Sequence, residues 1–256
     1  MSDTHQPRTP AWPPRSAPRL FVEACIAMGE QVRIEGNQAH YLSRVMRVRE
    51  GDTVILCDDV TGEWASRVVS AGKRDVVLEP VEQLRPREEV PDFWLCPALL
   101  KKDRFDLVLE KATELGVARI RPVLTARCVA DRLNPERART AVTEAAEQCA
   151  RTALPTLDTP VKLDSLLADW PTGRALFFAD EQGGGPAAAA FAAHGGCAAL
   201  LVGPEGGFTD QEREAIRNHA QAHPISLGPR ILRGETATIA ALAVWMAVAG
   251  DWPQPC

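Results

Sequence analysis

Short apolar runs separated by turn residues dominate the chain between residues 19 and 84. The runs are residues 20–22, 31–34, 53–57, 64–69 and 76–81. Glycine marks the turns between them, at Gly29, Gly36, Gly51, Gly62 and Gly72. Runs of this length with such punctuation are typical of β-strands, so this part of the chain is predicted to form a small β-barrel.

One helical pattern interrupts these strands, at residues 40–48. His40, Arg44 and Arg47 fall at i, i+4 and i+7, which places them on one face of a helix, while the apolar residues of the stretch face elsewhere. A basic helix on a small barrel suits RNA binding. A solvated charged face explains the same periodicity equally well.

Helical patterns alternate with apolar runs in the rest of the chain. The predicted strands are residues 93–100, 120–124, 175–179, 198–202 and 224–227. The predicted helices are residues 103–115, 135–150, 209–222 and 235–252. The third helix opens on Thr209-Asp210-Gln211-Glu212, which has the form of a capping box. This alternation predicts an α/β domain built on a parallel sheet.

Two stretches without a regular pattern divide the chain. Residues 84–91 (LRPREEVP) are charged and bracketed by proline, which indicates a domain boundary. Residues 1–18 contain five prolines and little apolar content, which predicts a disordered tail. We therefore predict a tail at residues 1–18, a β-barrel domain at 19–85 and an α/β domain at 91–256.

The last predicted helix is apolar on nearly every side. It carries Ile239, Leu242, Val244, Trp245 and Met246 and leaves no polar face. Such a helix must be covered all round. One side can pack on the sheet and the other on a second copy of the chain, so we predict a two-fold homodimer. A helix enclosed within one chain is the alternative.

Two glycine-containing loops follow predicted strands. The strand at 198–202 leads into GPEGGF at 203–208, and the strand at 224–227 leads into GPRILRGETA at 228–237. Glycine allows positive φ and lets a ligand lie against bare backbone. In α/β proteins, ligands bind outside the carboxyl ends of parallel strands. These loops therefore indicate a ligand site, although two ordinary turns of a sheet have the same pattern.

The polar residues of the second loop favour the ligand site. Arg230, Arg233, Glu235 and Thr236 lie between a strand and the most apolar helix of the chain. So many polar residues between a buried strand and an apolar helix are not explained by solubility alone. A ligand at the strand ends supplies one.

The motif pair GPEGGF and LGPRILRGETA resembles the uridine-N3 methyltransferases of small-subunit (16S) ribosomal RNA, which belong to the SPOUT class of S-adenosylmethionine-dependent RNA methyltransferases. The pair is specific, whereas either glycine loop alone is weak. The resemblance runs from Arg19 to the C-terminus. Gly234 departs from the family pattern, in which larger residues are common, so no side-chain contact is expected there.

The resemblance implies a PUA-like barrel that contacts RNA, followed by a SPOUT domain whose deep trefoil knot holds the cofactor bent. Adenine is then expected on the main chain around Leu227, Ile231 and Leu232. A third strand exit is Asp180-Glu181, which follows the predicted strand at 175–179. The cofactor-binding residues predicted from the three strand exits and the resemblance are Ala179, Asp180, Glu181, Val202, Gly203, Glu205, Gly206, Gly207, Leu227, Gly228, Ile231, Leu232 and Thr236.

The RNA-binding residues follow from the barrel, from a basic segment and from a further motif. Residues 99–139 hold ten Lys/Arg and six Asp/Glu, whereas residues 140–229 hold five and eleven, so the net charge of −5 conceals a basic surface. EQCAR at 147–151 resembles a family motif near the substrate pocket, or is simply a helix end with a favourable cation. The predicted residues are Arg19, His40, Arg44, Arg47, Lys101, Lys102, Arg104, Arg127, Gln148 and Arg151.

Methylation of uracil N3 requires that the imide lose its proton as the methyl group arrives. Arg233 or Arg230 is predicted to stabilise the negative charge on the flanking carbonyl oxygens, with Arg233 favoured. Guanidinium groups are poor bases, so proton removal falls to Glu235, Glu205 or water. Glu235 is either that base or the residue that orients Arg233. A negative charge in the first turn of a helix explains Glu235 equally well.

Composition excludes several classes of protein. The seven cysteines are scattered, without a C-x-x-C pair or a Cys/His cluster, which predicts reduced thiols in a cytoplasmic protein and no metal site. No run reaches the ~18 apolar residues of a membrane span. There is no G-x-G-x-x-G opening a helix and no P-loop. Two other functions stay open: a SPOUT methyltransferase of a ribose 2′-hydroxyl or of tRNA, and a non-catalytic RNA-binding or ribosome-assembly module.

Overall fold

The computed structural model describes residues 12–14, 16–194 and 196–252. Most of the predicted tail at 1–18 lies outside the described residues. The chain divides into two compact units. The first comprises Met1–Glu88 together with Ala150–Ala153, and the second comprises Glu89–Cys149 together with Leu154–Cys256.

The first unit is a curled β-sheet. Its strands are β1 (Arg19–Phe21), β2 (Val32–Glu35), β3 (Thr53–Asp58), β4 (Gly62–Ala71) and β5 (Asp75–Arg85). The order is β1-β3-β4-β5-β2, antiparallel except for β1 beside β3. All the predicted strands are present. With β1 and β2 at its edges, the sheet is a half-barrel around a core that includes Leu42, Val54 and Leu78.

The helical segment between β2 and β3 differs from the prediction. It begins earlier, as α1 (Gly36–His40), and continues as a π-helical turn at Tyr41–Val45. Arg47 lies beyond the end of this turn, with φ of 54°. His40, Arg44 and Arg47 are all exposed. They do not share one α-helical face, because the backbone leaves the helix before Arg47.

The second unit alternates strands and helices. Its strands are β6 (Phe93–Pro97), β7 (Arg119–Ile120), β8 (Val123–Leu124), β9 (Thr156–Leu157), β10 (Val161–Lys162), β11 (Ala175–Ala179), β12 (Gly185–Pro186), β13 (Ala198–Val202) and β14 (Ala222–Ser226). Its helices are α2 (Lys102–Glu114), α3 (Pro135–Cys149), α4 (Leu163–Ala168), α5 (Ala187–Ala192), α6 (Asp210–Arg217) and α7 (Gly234–Val248).

A seven-stranded parallel sheet organises this unit, in the order β12-β14-β11-β13-β6-β7-β9. β8 and β10 pair separately. The predicted α/β fold with a parallel sheet is confirmed. Strand β13 is buried along its whole length, as its continuous apolar run indicates. The trefoil knot stays a prediction that follows from the resemblance.

Four predicted elements of this unit differ in detail. The strand predicted at 93–100 ends at Pro97, and the helix predicted at 235–252 ends at Val248. The single strand predicted at 120–124 is two short strands, β7 and β8, that belong to different sheets. The predicted helix at 209–222 begins on its capping box, with Thr209 and Glu212 bonded reciprocally, but ends at Arg217. A turn follows, in which the His219 N–H donates to the Ile216 carbonyl, and β14 begins at Ala222.

Helix α7 buries one face against the sheet and leaves the other partly open. The buried face includes Ala241, Leu242 and Trp245, and the Trp245 ring stacks on Phe93 with centroids 3.9 Å apart. On the opposite side, Ala247 is exposed and Ala240 and Ala243 are only partly buried. Within the described residues, the chain itself therefore does not enclose α7, and a partner for this face stays a prediction.

Two histidines make this unit sensitive to acid. The rings of His194 and His223 lie 4.0 Å apart, beside Phe177. Burial, and secondarily the charge of His194, lower the pKa of His223. A lowered pKa in the folded state means that the stabilising effect of neutral His223 is complete above the unfolded-state pKa and is lost as pH falls through the folded-state value.

We therefore expect the midpoint of thermal unfolding to fall on acidification from pH 7.5 towards pH 5, and to fall less in His223→Phe, which keeps an aromatic ring beside Phe177. Circular dichroism melts of the parent and the variant across that range measure both slopes. Equal slopes would show that His223 does not contribute.

Candidate active site

Three neighbouring strands of the parallel sheet end at one edge and open into loops. β14, β11 and β13 are adjacent, and their carboxyl ends lead to residues 227–233, to Asp180-Glu181 and to residues 203–208. The loops enclose a cavity of about 650 Å³. A cavity of this size at the carboxyl ends of parallel strands is where α/β proteins hold small ligands.

Most of the predicted cofactor-binding residues line this cavity. Those that line it are Ala179, Asp180, Glu181, Val202, Gly203, Glu205, Gly207, Leu227, Gly228, Ile231 and Leu232. Gly206 and Thr236 are not among the lining residues. Lining residues that were not among the predicted site residues are Val129, Gly183, Pro204, Phe208, Arg213, Ile225, Ser226, Pro229, Gly234 and Ala237. Several of these are apolar neighbours of the predicted residues.

One wall of the cavity is apolar and open. Ile231 is 87% exposed although it lines the cavity, and Leu227 and Leu232 are only partly buried. When an apolar ligand covers a large exposed aliphatic side chain at a cavity, apolar surface is removed from water, and this favours binding. This wall suits a flat heterocycle.

The Asp180 side chain forms a buried ion-pair network at this edge of the sheet. Its side chain is buried, and its two carboxylate oxygens accept hydrogen bonds from Arg213 Nε at 3.2 Å and from Arg217 Nη2 at 2.6 Å. With both oxygens engaged, the side chain is not available to a cofactor. Only the main chain of Asp180 remains available to bind a cofactor.

Arg213 is the charged lining residue that sequence reasoning missed. It lies on α6, is 5% exposed, and also contacts Glu181 and Asp210, at 3.3 and 3.2 Å. Arg213 and Arg217 are four residues apart, so they share one face of α6. That spacing was visible in the sequence, but the carboxylate that they face was not.

Arg104 of α2 lies between two carboxylates at the cavity. Its Nη1 is 3.5 Å from Glu235 Oε1 and 3.9 Å from Glu205 Oε1. The Glu235 side chain is 13% exposed, and its Oε2 is buried without a hydrogen-bond partner among the described residues. Glu235 itself is not among the residues that line the cavity, whereas Arg104 and Glu205 are. A buried carboxylate oxygen without a donor is costly, so this atom has the capacity to accept a proton or a hydrogen bond.

The two predicted catalytic arginines lie at the rim. Arg230 and Arg233 line the cavity and are exposed. Arg233 is also the residue before α7, and its carbonyl accepts from the Ala237 N–H, which fixes the backbone from which its side chain projects. Within the described part of the chain, the charged partner of Glu235 is Arg104 rather than Arg233. The alternative in which Glu235 orients Arg233 has no contact to support it.

The predicted RNA-binding residues are divided between the two units. Lys101 and Arg104 line the cavity, and Lys102 begins α2 beside them. Arg127 donates to the carbonyls of Gly206 and Phe208, at 2.9 and 3.2 Å, and so holds the GPEGGF loop.

The remaining predicted RNA-binding residues lie elsewhere. Gln148 lines a separate, largely acidic cavity between α2 and α3. Arg151 is buried in the first unit, with Nε 3.9 Å from Glu88, and is not available to RNA. Arg19 is paired with Glu63. Of this set, His40, Arg44 and Arg47 are exposed in the first unit.

Two kinds of site are absent from the described residues. No group of three or more histidine, cysteine, aspartate or glutamate side chains is placed to bind a metal ion there. The helices in the same part of the chain are too short or too polar to span a bilayer.

The chain matches two protein families. Residues 87–246 match the RNA methyltransferase domain, and residues 34–81 match the RNA methyltransferase PUA domain. A relative from Synechocystis sp., named ribosomal RNA small subunit methyltransferase E, is 33% identical over 239 residues, which cover 89% of this chain and 74% of the relative.

Two solved structures have the same fold over nearly the whole chain. The ribosomal RNA small subunit methyltransferase E of Neisseria gonorrhoeae, bound to S-adenosyl methionine, superimposes with a TM-score of 0.84 and 27% identity, covering 92% of this chain and 99% of that one. A putative methyltransferase of Legionella pneumophila in complex with its cofactor SAM gives 0.82 and 29%, with the same coverage.

Proposed function

Because the chain belongs to the RNA methyltransferase family, we propose that it transfers a methyl group from S-adenosylmethionine to a base of small-subunit (16S) ribosomal RNA, and that the acceptor atom is N3 of a uridine. The observation that carries the acceptor assignment is the Glu235 carboxylate, whose Oε2 is buried and unpartnered among the described residues and whose Oε1 lies 3.5 Å from Arg104, which lines the same cavity as Arg230 and Arg233. A carboxylate that can take up a proton, together with two guanidinium groups, suits a methyl-accepting nitrogen that must lose its proton and become an anion.

The cavity residues fit the proposed cofactor. Main-chain groups of three strand exits converge on it, and Leu227, Ile231 and Leu232 offer an apolar wall for adenine. Glu181 and Glu205 line the same space and complement the positive charge of a sulfonium and an amino group. When bound there, S-adenosylmethionine supplies a methyl group on a sulfonium, which needs positioning more than activation.

The chain's own residues then have distinct tasks. Glu235 accepts the N3 proton of uracil, since its Oε2 lacks any other donor among the described residues. Arg233 donates to the carbonyl oxygens that gain negative charge as that proton leaves. Arg104, which lines the cavity, holds the carboxylate of Glu235 beside that wall from 3.5 Å.

Analysis of modified nucleosides tests the function directly. Small-subunit RNA from a strain lacking this gene is digested and examined by mass spectrometry, with and without incubation with the purified protein and S-adenosylmethionine. The expected result is N3-methyluridine that is absent in the deletion strain and restored by the protein. A restored ribose methyl group, or a modified tRNA with unchanged ribosomal RNA, would overturn the assignment. Absence of any transfer would favour a non-catalytic binding module.

We propose that the protein works as a homodimer in the cytoplasm. The open face of α7 carries Ala240, Ala243 and Ala247, a stripe of small residues that lets two helices approach closely, as in symmetric dimers. None of the six cysteines in the described residues forms a disulfide, as suits a reducing compartment.

Ala247→Glu tests the dimer. Because Ala247 is exposed in the single chain, a glutamate there is tolerated by the fold but places like charges opposite each other across a two-fold interface. We expect light scattering to give twice the chain mass for the parent and the chain mass for the variant, with unchanged circular dichroism. A parent that is already monomeric, or a variant that stays dimeric, contradicts the assignment of this face.

A further inference from the structure

Five charged side chains at the end of β11 and on α6 form one network beside the cavity. We call Asp180, Glu181, Asp210, Arg213 and Arg217 the α6 ion-pair network. The Asp180 carboxylate accepts hydrogen bonds from Arg213 and Arg217, at 3.2 and 2.6 Å. Arg213 also lies 3.3 Å from Glu181 Oε1 and 3.2 Å from Asp210 Oδ1. Three carboxylates face two guanidinium groups, so the network carries a surplus of negative charge.

Glu181 is the carboxylate of this network that a ligand in the cavity can reach. Asp180 and Arg213 line the cavity too, but their side chains are 1% and 6% exposed, whereas the Glu181 side chain is 46% exposed. Asp210 does not line the cavity. Among the described residues, Arg213 is the one side chain that bonds to Glu181, through Oε1. The second oxygen, Glu181 Oε2, is therefore free to face a ligand.

The Glu181 carboxylate is held in place by two neighbours. Arg213 Nη2 donates to Glu181 Oε1 at 3.3 Å, from a helix whose first turn is closed by a capping box. The second neighbour is the bare backbone of Gly207, where an added Cβ would lie 2.9 Å from the same oxygen. Gly207 has φ of 66°, a conformation that favours glycine. A carboxylate held between a buried guanidinium group and a glycine is positioned before any ligand arrives.

The charge of the methyl donor gives such a carboxylate a purpose. Five of the charged residues that line the cavity are cations and three are carboxylates, so a second cation needs a nearby negative charge. A sulfonium is a permanent cation, which cannot release a proton to become neutral when it leaves water. An amine can lose its charge in that way. The thioether that is left after methyl transfer is neutral and needs no counter-charge.

We propose that Arg213 is a positioning residue, which holds the Glu181 carboxylate as the counter-charge of the sulfonium and so favours S-adenosylmethionine over its demethylated product, S-adenosylhomocysteine. The inference rests on the proposed function, because it concerns the same methyl transfer. When the carbon–sulfur bond breaks, its electron pair stays on the sulfur, which becomes neutral. The N3 anion supplies the pair for the new carbon–nitrogen bond. Glu181 then faces a neutral sulfur, which weakens binding of the product.

Isothermal titration calorimetry of the full chain with S-adenosylmethionine and with S-adenosylhomocysteine gives the ratio of their dissociation constants. Glu181→Gln keeps the size of the side chain and removes its charge, at a position exposed enough that the fold tolerates the change. We expect this variant to lower the preference for S-adenosylmethionine about 10-fold, because binding of the sulfonium weakens and binding of the thioether changes little.

Two lysine variants on α6 separate the positioning of Glu181 from the stability of the fold. Arg213→Lys keeps a cation for Asp180 but replaces the planar fork with one ammonium group, so it no longer holds Glu181 as well. We expect its preference to fall part of the way towards that of Glu181→Gln. Arg217→Lys changes the other partner of Asp180, which neither contacts Glu181 nor lines the cavity, and should leave the ratio unchanged. Circular dichroism melts of the unliganded variants measure the stability that each loses.

The outcomes separate this inference from the proposed function. An unchanged ratio in Glu181→Gln, or equal weakening of both ligands, would overturn the assignment of Glu181 to the sulfonium. Equal ratios in Arg213→Lys and Arg217→Lys would overturn the role of Arg213. Arg213→Lys should have no further effect on the ratio in the Glu181→Gln background, and a further fall would show that Arg213 does not act through Glu181.

The parent protein distinguishes the two failures. A parent that binds neither ligand would overturn the proposed function together with this inference. A parent and variants that show the expected ratios, while nucleoside analysis finds no methylated small-subunit RNA, would support the assignment of Arg213 and Glu181 and overturn only the RNA substrate.

Discussion

Arg233→Ala is expected to slow methyl transfer by about 10²- to 10³-fold, which is the usual effect of removing one group that stabilises a developing oxyanion. Arg233 is the residue immediately before α7, and it lines the cavity with its side chain exposed at the rim. The uracil carbonyls gain charge only as the N3 proton leaves. The loss should therefore appear in the rate of the chemical step rather than in cofactor affinity. Single-turnover measurements at saturating RNA and cofactor report that rate.

Two further variants identify which feature of Arg233 matters. Arg233→Lys keeps the charge but loses the planar fork, so we expect it to recover only part of the rate. Arg230→Ala removes the neighbouring guanidinium at the same rim. If Arg233 is the residue that contacts the uracil, Arg230→Ala should slow methyl transfer less than Arg233→Ala does. Transfer by Arg233→Ala at the parental rate would refute the role, and a larger loss for Arg230→Ala would move it to Arg230.

Sequence patterns located the strand exits because those patterns are local. A buried parallel strand reads as a continuous apolar run, which is why β11 and β13 begin and end where predicted. The start of α6 was equally local, since a capping box is satisfied within four residues. Its end was not. No glycine follows Arg217, and the switch to β14 depends on pairing with β11, which is a tertiary contact.

The candidate site was predictable as a place but not as a set of contacts. The glycine loops indicated which main-chain segments meet, because adjacent strand ends share one edge of a sheet. Arg104 and Glu235 are far apart in sequence and meet only through the packing of α2 and α7. Sequence reasoning therefore assigned Arg104 to RNA, and it left Glu235 as the base, as the residue that orients Arg233 or as a charge in the first turn of a helix, without indicating its ion pair with Arg104.

The ion pairs of Asp180 could not be predicted from the sequence either, and they lead to a prediction about stability. Its place directly after β11 suggested a ligand contact, but its carboxylate is buried between Arg213 and Arg217. Arg213 is 5% exposed, so without Asp180 its charge would rely on Glu181 and Asp210, whose side chains are 46% and 96% exposed and largely screened by solvent. Removing one partner of a buried pair leaves an uncompensated charge, which costs about 3 kcal/mol or more.

We therefore expect Asp180→Ala to lower the free energy of unfolding by about 3 kcal/mol, measured from urea denaturation followed by circular dichroism. The matched double variant Asp180→Ala with Arg213→Met removes the orphaned cation and keeps much of its aliphatic volume, so it should recover most of that loss. A single variant within about 1 kcal/mol of the parent would show that Glu181, Asp210 and water suffice for Arg213. A double variant no more stable than the single one would show instead that Arg213 is held by its packing in the wall of the cavity.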